Sequence, residues 1–276
     1  MTDAPERQDP EAQRFRALAL LYLVSNATYG SGRNRRRLKR VMTRPEREAV
    51  TAVLERLPST VAAWSDGLAT LDPLDIVEIR RPLSSLSSSA PGQWWAGPRD
   101  CREELLELAA EHRYDSVLVL WPAAPEVPQC GWGCTVGPSD ATFGAGFTSI
   151  ASDHWPSLAS DPDPEQGYVH EWLHQVESIY RELGLGEDVL PNLHDAAVFT
   201  STRPVSEPPF GESYAAYHDG TAPDGGEAGR PGSRTWAPWY RDWMTGRLRR
   251  LADPAPSDAN AAPLGLTRER WAMRTA

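Results

Sequence analysis

The run His170-Glu171-Trp172-Leu173-His174 puts two imidazoles one helical turn apart, with a carboxylate beside the first. On an α-helix, residues four apart differ by about 40° around the axis and about 6 Å along it, so both rings can reach one metal ion. Paired imidazoles suit zinc, and Glu171 then stands where a base for a water on the metal is needed. No proline interrupts Glu165 to Leu183. Within that segment Val169, Leu173, Val176, Tyr180 and Leu183 recur at helical spacing as an apolar stripe. His170, His174 and Glu177 line the neighbouring stripe. Such a helix packs one face on a core and offers ligands to a cleft.

The elements that must carry this helix can also be read. With 276 residues, 40% of them apolar and eleven tryptophans, the chain can bury a substantial core. Its net charge of -10 argues against nucleic acid as a partner, because a phosphate-binding surface needs excess positive charge. Arg33 to Arg40 is the local exception, with six basic residues of eight, and reads as a solvated turn or helix start. The apolar run Ala17 to Val24 is eight residues long, against roughly 20 for a bilayer span, so no membrane segment is expected. Asp3, Glu6, Asp9 and Glu11 do not suit the basic start of a signal peptide, which points to the cytoplasm. Three cysteines, Cys101, Cys130 and Cys134, are no disulfide framework, and the last two lack a second ligand pair for a metal.

Residues 1–14 read as a charged, proline-containing tail. Ala17 to Ser25 reads as a buried strand. Thr43-Arg44-Pro45-Glu46 is a capping box with proline in the first turn, opening a long helix that carries Val50, Val53, Leu54, Leu57, Val61 and Trp64. Asp75 to Arg80 is a short strand ending at Pro82. Asp100-Cys101-Arg102-Glu103 caps a helix bearing Leu105, Leu106 and Ala109. Ser116 to Trp121 is a buried apolar strand, and Cys130 to Ser152 reads as a bulged sheet edge, either a hairpin or a surface for strand addition by a peptide. Gly184 and Gly186 end the metal-ligand helix. Asp195 to Arg234 is loop-rich, and Trp236 to Arg250 reads as a last helix, opened by Pro238 and closed by basic residues.

On His170-Glu171-Trp172-Leu173-His174 and the strand–helix order before it, residues 15–195 resemble the zincin superfamily of metallopeptidases. The resemblance implies an α+β fold: a zincin-like upper subdomain over 15–183, with a twisted mixed sheet, a backing helix and an active-site helix, and a smaller loop-rich and helical C-terminal subdomain over 184–276. The metzincin extension is absent, since Glu177 follows His174 where that group has glycine and then a further histidine. The Gly-Thr-x-Asp of aspzincins is absent too.

A catalytic zinc ion takes three protein ligands and leaves one position for water. The downstream candidates are Glu177, Glu182, Glu187, Asp188, His194 and Asp195. Glu177 lies about 10 Å along the axis from His170, which fits it to orient His174 instead. His194 is the preferred third ligand, because a glycine-containing turn can swing it back under the metal; Asp195 and Asp188 are the alternatives. The expected chemistry is hydrolysis of a peptide or a small amide, with Glu171 taking the proton of the attacking water. Zincins commonly draw an oxyanion donor from the lower subdomain, which here offers Tyr214, Tyr217, His218 and Tyr240, the last being taken as the donor. Two other expectations compete with this: a zinc hydrolase acting on a small amide or ester of specialised metabolism, and a zincin-like binding protein without turnover.

Overall fold

The computed structural model describes residues 12–30, 32–90, 93–110, 112–124, 127, 132–135, 145–151, 164–202, 214, 236–252 and 262–275. In chain order these form β1 (Gln13–Arg14), β2 (Ala17–Tyr22), β3 (Val24–Tyr29), β4 (Arg36–Val41), α1 (Arg44–Trp64), β5 (Ala69–Thr70), β6 (Leu74–Ile79) and β7 (Leu83–Ser85). Next come β8 (Ser87–Ala90), β9 (Gln93–Trp95), α2 (Arg102–Leu108), β10 (Ser116–Trp121), β11 (Trp132–Thr135) and β12 (Gly146–Ala151). The last are α3 (Gln166–Glu182), β13 (Phe199–Ser201), α4 (Ala237–Thr245), β14 (Leu248–Arg250) and α5 (Arg268–Ala272). The architecture is mixed α+β, with several sheets.

A five-stranded sheet in the order β11-β12-β10-β2-β6 is its centre. The last four strands are mutually parallel, and β11 runs antiparallel to β12. Because β2 and β10 are apolar at nearly every position, both faces of this sheet must be covered. Ala17, Ala19, Leu21, Leu118 and Leu120 turn to one core, where α1, α3, α4 and α5 pack. Leu18, Leu20, Tyr22, Val117, Val119 and Trp121 turn to the other, closed by α2 and by the sheet of order β4-β3-β7. Trp239, Trp243 and Trp271, from the C-terminal part of the chain, lie in the same core as α1 and α3.

Local signals account for most of these elements. The capping box of α1 is formed, with Glu46 N–H donating to Thr43 Oγ1 and Thr43 N–H donating to Glu46 Oε2 at 2.6 Å. Four readings are corrected. The apolar run from Ala17 divides into two strands at Leu23. The basic run is an edge strand: after a 3-10 turn at Gly32–Asn34, β4 pairs along the whole of β3 and buries Leu38, while Arg36 and Arg37 stay in solvent and the half-buried Arg40 pairs with Glu46. The cap of α2 is Cys101, with no side-chain cap bond; Asp100 instead accepts from Ser85, Ser87 and Gly97 N–H, and Leu106 is exposed. The last helix stops at Thr245, because Gly246 takes the left-handed conformation, and Leu248–Arg250 pairs with β13.

Among the described residues no helix is long and apolar enough to cross a membrane. Cys101 is free and buried. Cys130 and most of the glycine-rich stretch up to Ala145 lie outside the described residues, but β11 and β12 pair antiparallel, as the hairpin reading expects.

Candidate metal centre

The apolar stripe of α3 holds: Val169, Leu173, Val176 and Tyr180 are fully buried, although Leu183, at the helix end, is exposed. The opposite flank of the helix is locked to the sheet by polar groups. Ser116 Oγ donates to Gln175 Oε1 at 2.5 Å, and Gln175 Nε2 donates to the Val117 carbonyl at 3.3 Å and to Thr148 Oγ1. Thr148 Oγ1 in turn donates to the Glu171 carbonyl at 3.1 Å. Gly146 leaves room for this network, since a Cβ there would stand 2.4 Å from Gln175 Oε1. The carboxylate-bearing turn of α3 therefore sits at a fixed height over β10 and β12.

On the flank away from the sheet the two imidazoles converge. His170 Nε2 and His174 Nε2 are 3.2 Å apart, and His194 Nε2 is 3.1 Å from His174 Nε2. Nitrogens about 2.0–2.1 Å from a tetrahedral zinc ion stand roughly 3.3 Å apart. Both separations from His174 match that spacing, all three ligand atoms lie within 4.8 Å of one another, and the donor set is one zinc accepts. Glu182, Glu187, Asp188 and Asp195 are exposed and outside this cluster.

Two of the three rings have a partner behind them. Tyr240 Oη lies 3.0 Å from His170 Nδ1, and Glu177 Oε2 lies 3.5 Å from His174 Nδ1. Arg181 holds Glu177 in place from the next turn at 3.2 Å and donates to the Leu190 carbonyl at 2.5 Å. The segment bearing His194 is clamped from α4: Trp239 Nε1 donates to the Leu193 carbonyl at 2.9 Å and Trp243 Nε1 to that of Pro191 at 2.8 Å. Asn192 Oδ1 accepts from His194 N–H at 2.9 Å. The start of α4 is fixed to that of α3 by Trp236 N–H donating to Gln166 Oε1 at 2.8 Å.

The electrostatics follow from burial. Burial, with His174 and His194 nearby, pushes His170 down to about 3, leaving the ring neutral. Burial and His174 also lower His194, against the opposing pull of Glu177 and Asp195. Burial pushes the Glu171 carboxyl up to about 7, with His174 opposing. Its Oε2 is buried with no hydrogen-bond partner among the described residues. Burial also favours the acid form of Glu177, but bonds with His174 and Arg181 outweigh it and hold that carboxyl below its ordinary value.

The structure thus brings together His170, His174, His194 and Tyr240. Tyr214 is used elsewhere, donating to Asp242 Oδ2 at 2.6 Å in the core. Tyr217 and His218 lie outside the described residues. The sequence reading missed Ser116, Thr148 and Gln175, whose partners are distant in sequence and leave no local pattern, and Arg181, whose four-residue spacing from Glu177 was a local signal. It also missed the indole clamps; the four-residue spacing of Trp239 and Trp243 is the only trace of them.

A cavity of about 240 Å³ opens beside His170 and His194. No family model, no curated protein and no solved structure matches the chain.

Proposed function

We propose that this protein is a zinc-dependent hydrolase with a zincin-like organisation, cleaving amide bonds of a peptide or peptide-like substrate. One observation carries the reading: His174 Nε2 stands 3.2 Å from His170 Nε2 and 3.1 Å from His194 Nε2, with all three ligand atoms within 4.8 Å of one another, and the neighbouring Glu171 carboxylate is buried with no partner for Oε2 among the described residues. The two helices α1 and α3 on one face of the central sheet, and the antiparallel strand β11 beside β12, support the zincin-like arrangement.

His170, His174 and His194 would hold the ion. When bound, zinc supplies Lewis acidity, lowering the pKa of a water towards 7 and polarising a carbonyl. Glu171, buried beside the histidines with Oε2 unpartnered among the described residues, would take a proton from the attacking water and return it to the leaving nitrogen. The C–N bond breaks as the water oxygen joins the carbonyl carbon, giving an acid and an amine. A lone pair kept on His170 Nε2 requires its proton on Nδ1, where Tyr240 Oη accepts it. The phenol's own proton then stays available to the substrate oxygen, the donor role assigned to Tyr240.

Elemental analysis of the purified chain is expected to find zinc, lost in His170→Ala and in His174→Ala. Zinc retained in both variants would refute the site. Glu171→Gln should keep the metal and lose about 10²–10⁴-fold in turnover. A peptide-library digest separates peptide cleavage from hydrolysis of a small amide or ester, since no cut in any peptide favours the latter.

A further inference from the structure

The cavity beside the three histidines has a chemical character of its own. Leu193, Ala196, Trp236 and Trp239 form its walls, and His170, His194 and Tyr240 form the side towards the metal-ligand atoms. The Trp239 indole N–H is taken by the Leu193 carbonyl and the Trp236 backbone N–H by Gln166, and the Tyr240 hydroxyl, 3.0 Å from His170 Nδ1, lies on the side towards the histidines. Hydrocarbon and ring faces make up most of the lining. No Asp, Glu, Lys or Arg is among the described lining residues, so a charged group placed there would lose water without gaining a counter-charge. In size the cavity exceeds the roughly 150 Å³ apolar cavity that stays dry and takes up benzene.

We propose that this cavity binds an uncharged phenyl- to indole-sized group of the substrate, attached close to the bond that is cut. The enzyme then selects amides bearing an aromatic or bulky apolar substituent over small or cationic ones. Because the cavity shares His170 and His194 with the metal cluster, an occupant there is within a few bonds of a carbonyl at the ion. This assignment rests on the zinc reading above and adds the substrate class to it.

Titration calorimetry of the zinc-loaded full chain tests it with three hydroxamates that share one zinc-chelating head. These are acetohydroxamate, 2-phenylacetohydroxamate and 3-aminopropanohydroxamate. The phenyl compound is expected to bind at least about tenfold more tightly than acetohydroxamate, since burying a phenyl group removes a large apolar area from water, and the ammonium compound no more tightly than acetohydroxamate. Ala196→Phe, which fills the cavity, and Trp236→Ala, which removes a wall at the part-exposed start of α4, should each bring the phenyl-to-methyl ratio towards one, with bound zinc measured in each variant. Equal affinities for the phenyl and methyl compounds in the unaltered protein would overturn the cavity assignment and leave the metal reading standing. Failure of all three hydroxamates to bind would overturn the metal reading, and the cavity assignment with it.

Discussion

The imidazole of His170 can serve a metal only if its proton sits on the far nitrogen, and that proton needs an acceptor in a place where burial has removed water. Tyr240 Oη, 3.0 Å from His170 Nδ1, is placed to be that acceptor, and its ring is itself held by stacking on Trp64 at 6.2 Å between centroids. Tyr240→Phe keeps the ring and removes only the oxygen. Zinc affinity is expected to fall about 10–100-fold, the usual cost of losing a hydrogen-bond partner behind a metal-bound histidine, read by competition with a chromophoric chelator. Unchanged affinity would show that the phenol has no hold on the ring. Much of this site was legible in the sequence. His170, Glu171 and His174 were visible as a spacing, the supporting position of Glu177 followed from helical rise, and His194 followed from ligand type and return distance. The partner of His170 was not legible, because Tyr240 is 70 positions away and only the packing of α4 on α3 brings it there.

At the scale of elements, the height of α3 above the sheet is set by the network of Ser116, Gln175 and Thr148, and Gly146 is the position where it has least tolerance. In Gly146→Ala the new methyl meets Gln175 Oε1 at 2.4 Å and Gln175 Cβ at 2.9 Å. Gln175 cannot swing aside without abandoning its bonds to Ser116, Thr148 and the Val117 carbonyl. The expected loss is about 1–3 kcal/mol of stability, seen as a lower urea midpoint, together with weaker zinc binding, since the same shift moves His170 and His174. Full stability would mean that the helix rides more loosely than these bonds imply. Strands and helices announced themselves where one pattern sufficed: the apolar runs of β2 and β10, the capping box of α1 and the stripe of α3. They were misread where a tertiary partner decided the outcome. The arginines of β4 look like a solvated turn until Leu38 is seen to be buried against a second sheet, and Leu248 draws Leu248–Arg250 into pairing with β13 instead of extending α4.

For the whole molecule, two cores on opposite faces of one sheet leave the ends of the chain to be tied down by charge, a feature with no local sequence signature. Asp115, just before β10, accepts from Arg16 N–H at 2.8 Å and Arg16 Nε at 3.0 Å, and pairs with Arg274 at 2.7 Å. Arg274 also donates to the Arg14 carbonyl at 3.0 Å and lies over the Phe15 ring. One carboxylate thus joins the entry to β2, the start of β10 and the last turn of the described chain. Burial favours its acid form, but the hydrogen bonds from Arg16 and the charges of Arg274 and Arg16 outweigh it and hold the carboxyl below its ordinary value. A carboxyl depressed by folding stabilises the fold wherever it is ionised: the contribution is complete above the unfolded value of about 4 and is lost as pH falls through the lower folded value. Asp115→Asn is therefore expected to cost about 1–2 kcal/mol at pH 7, towards the low end because Arg16 is half exposed. The gap between variant and unaltered protein should hold at pH 5 and narrow as urea unfolding is repeated below pH 4. A gap of constant size across that range would mean that the asparagine disturbs packing, and that the ionised carboxylate is not what fastens the two ends to the sheet.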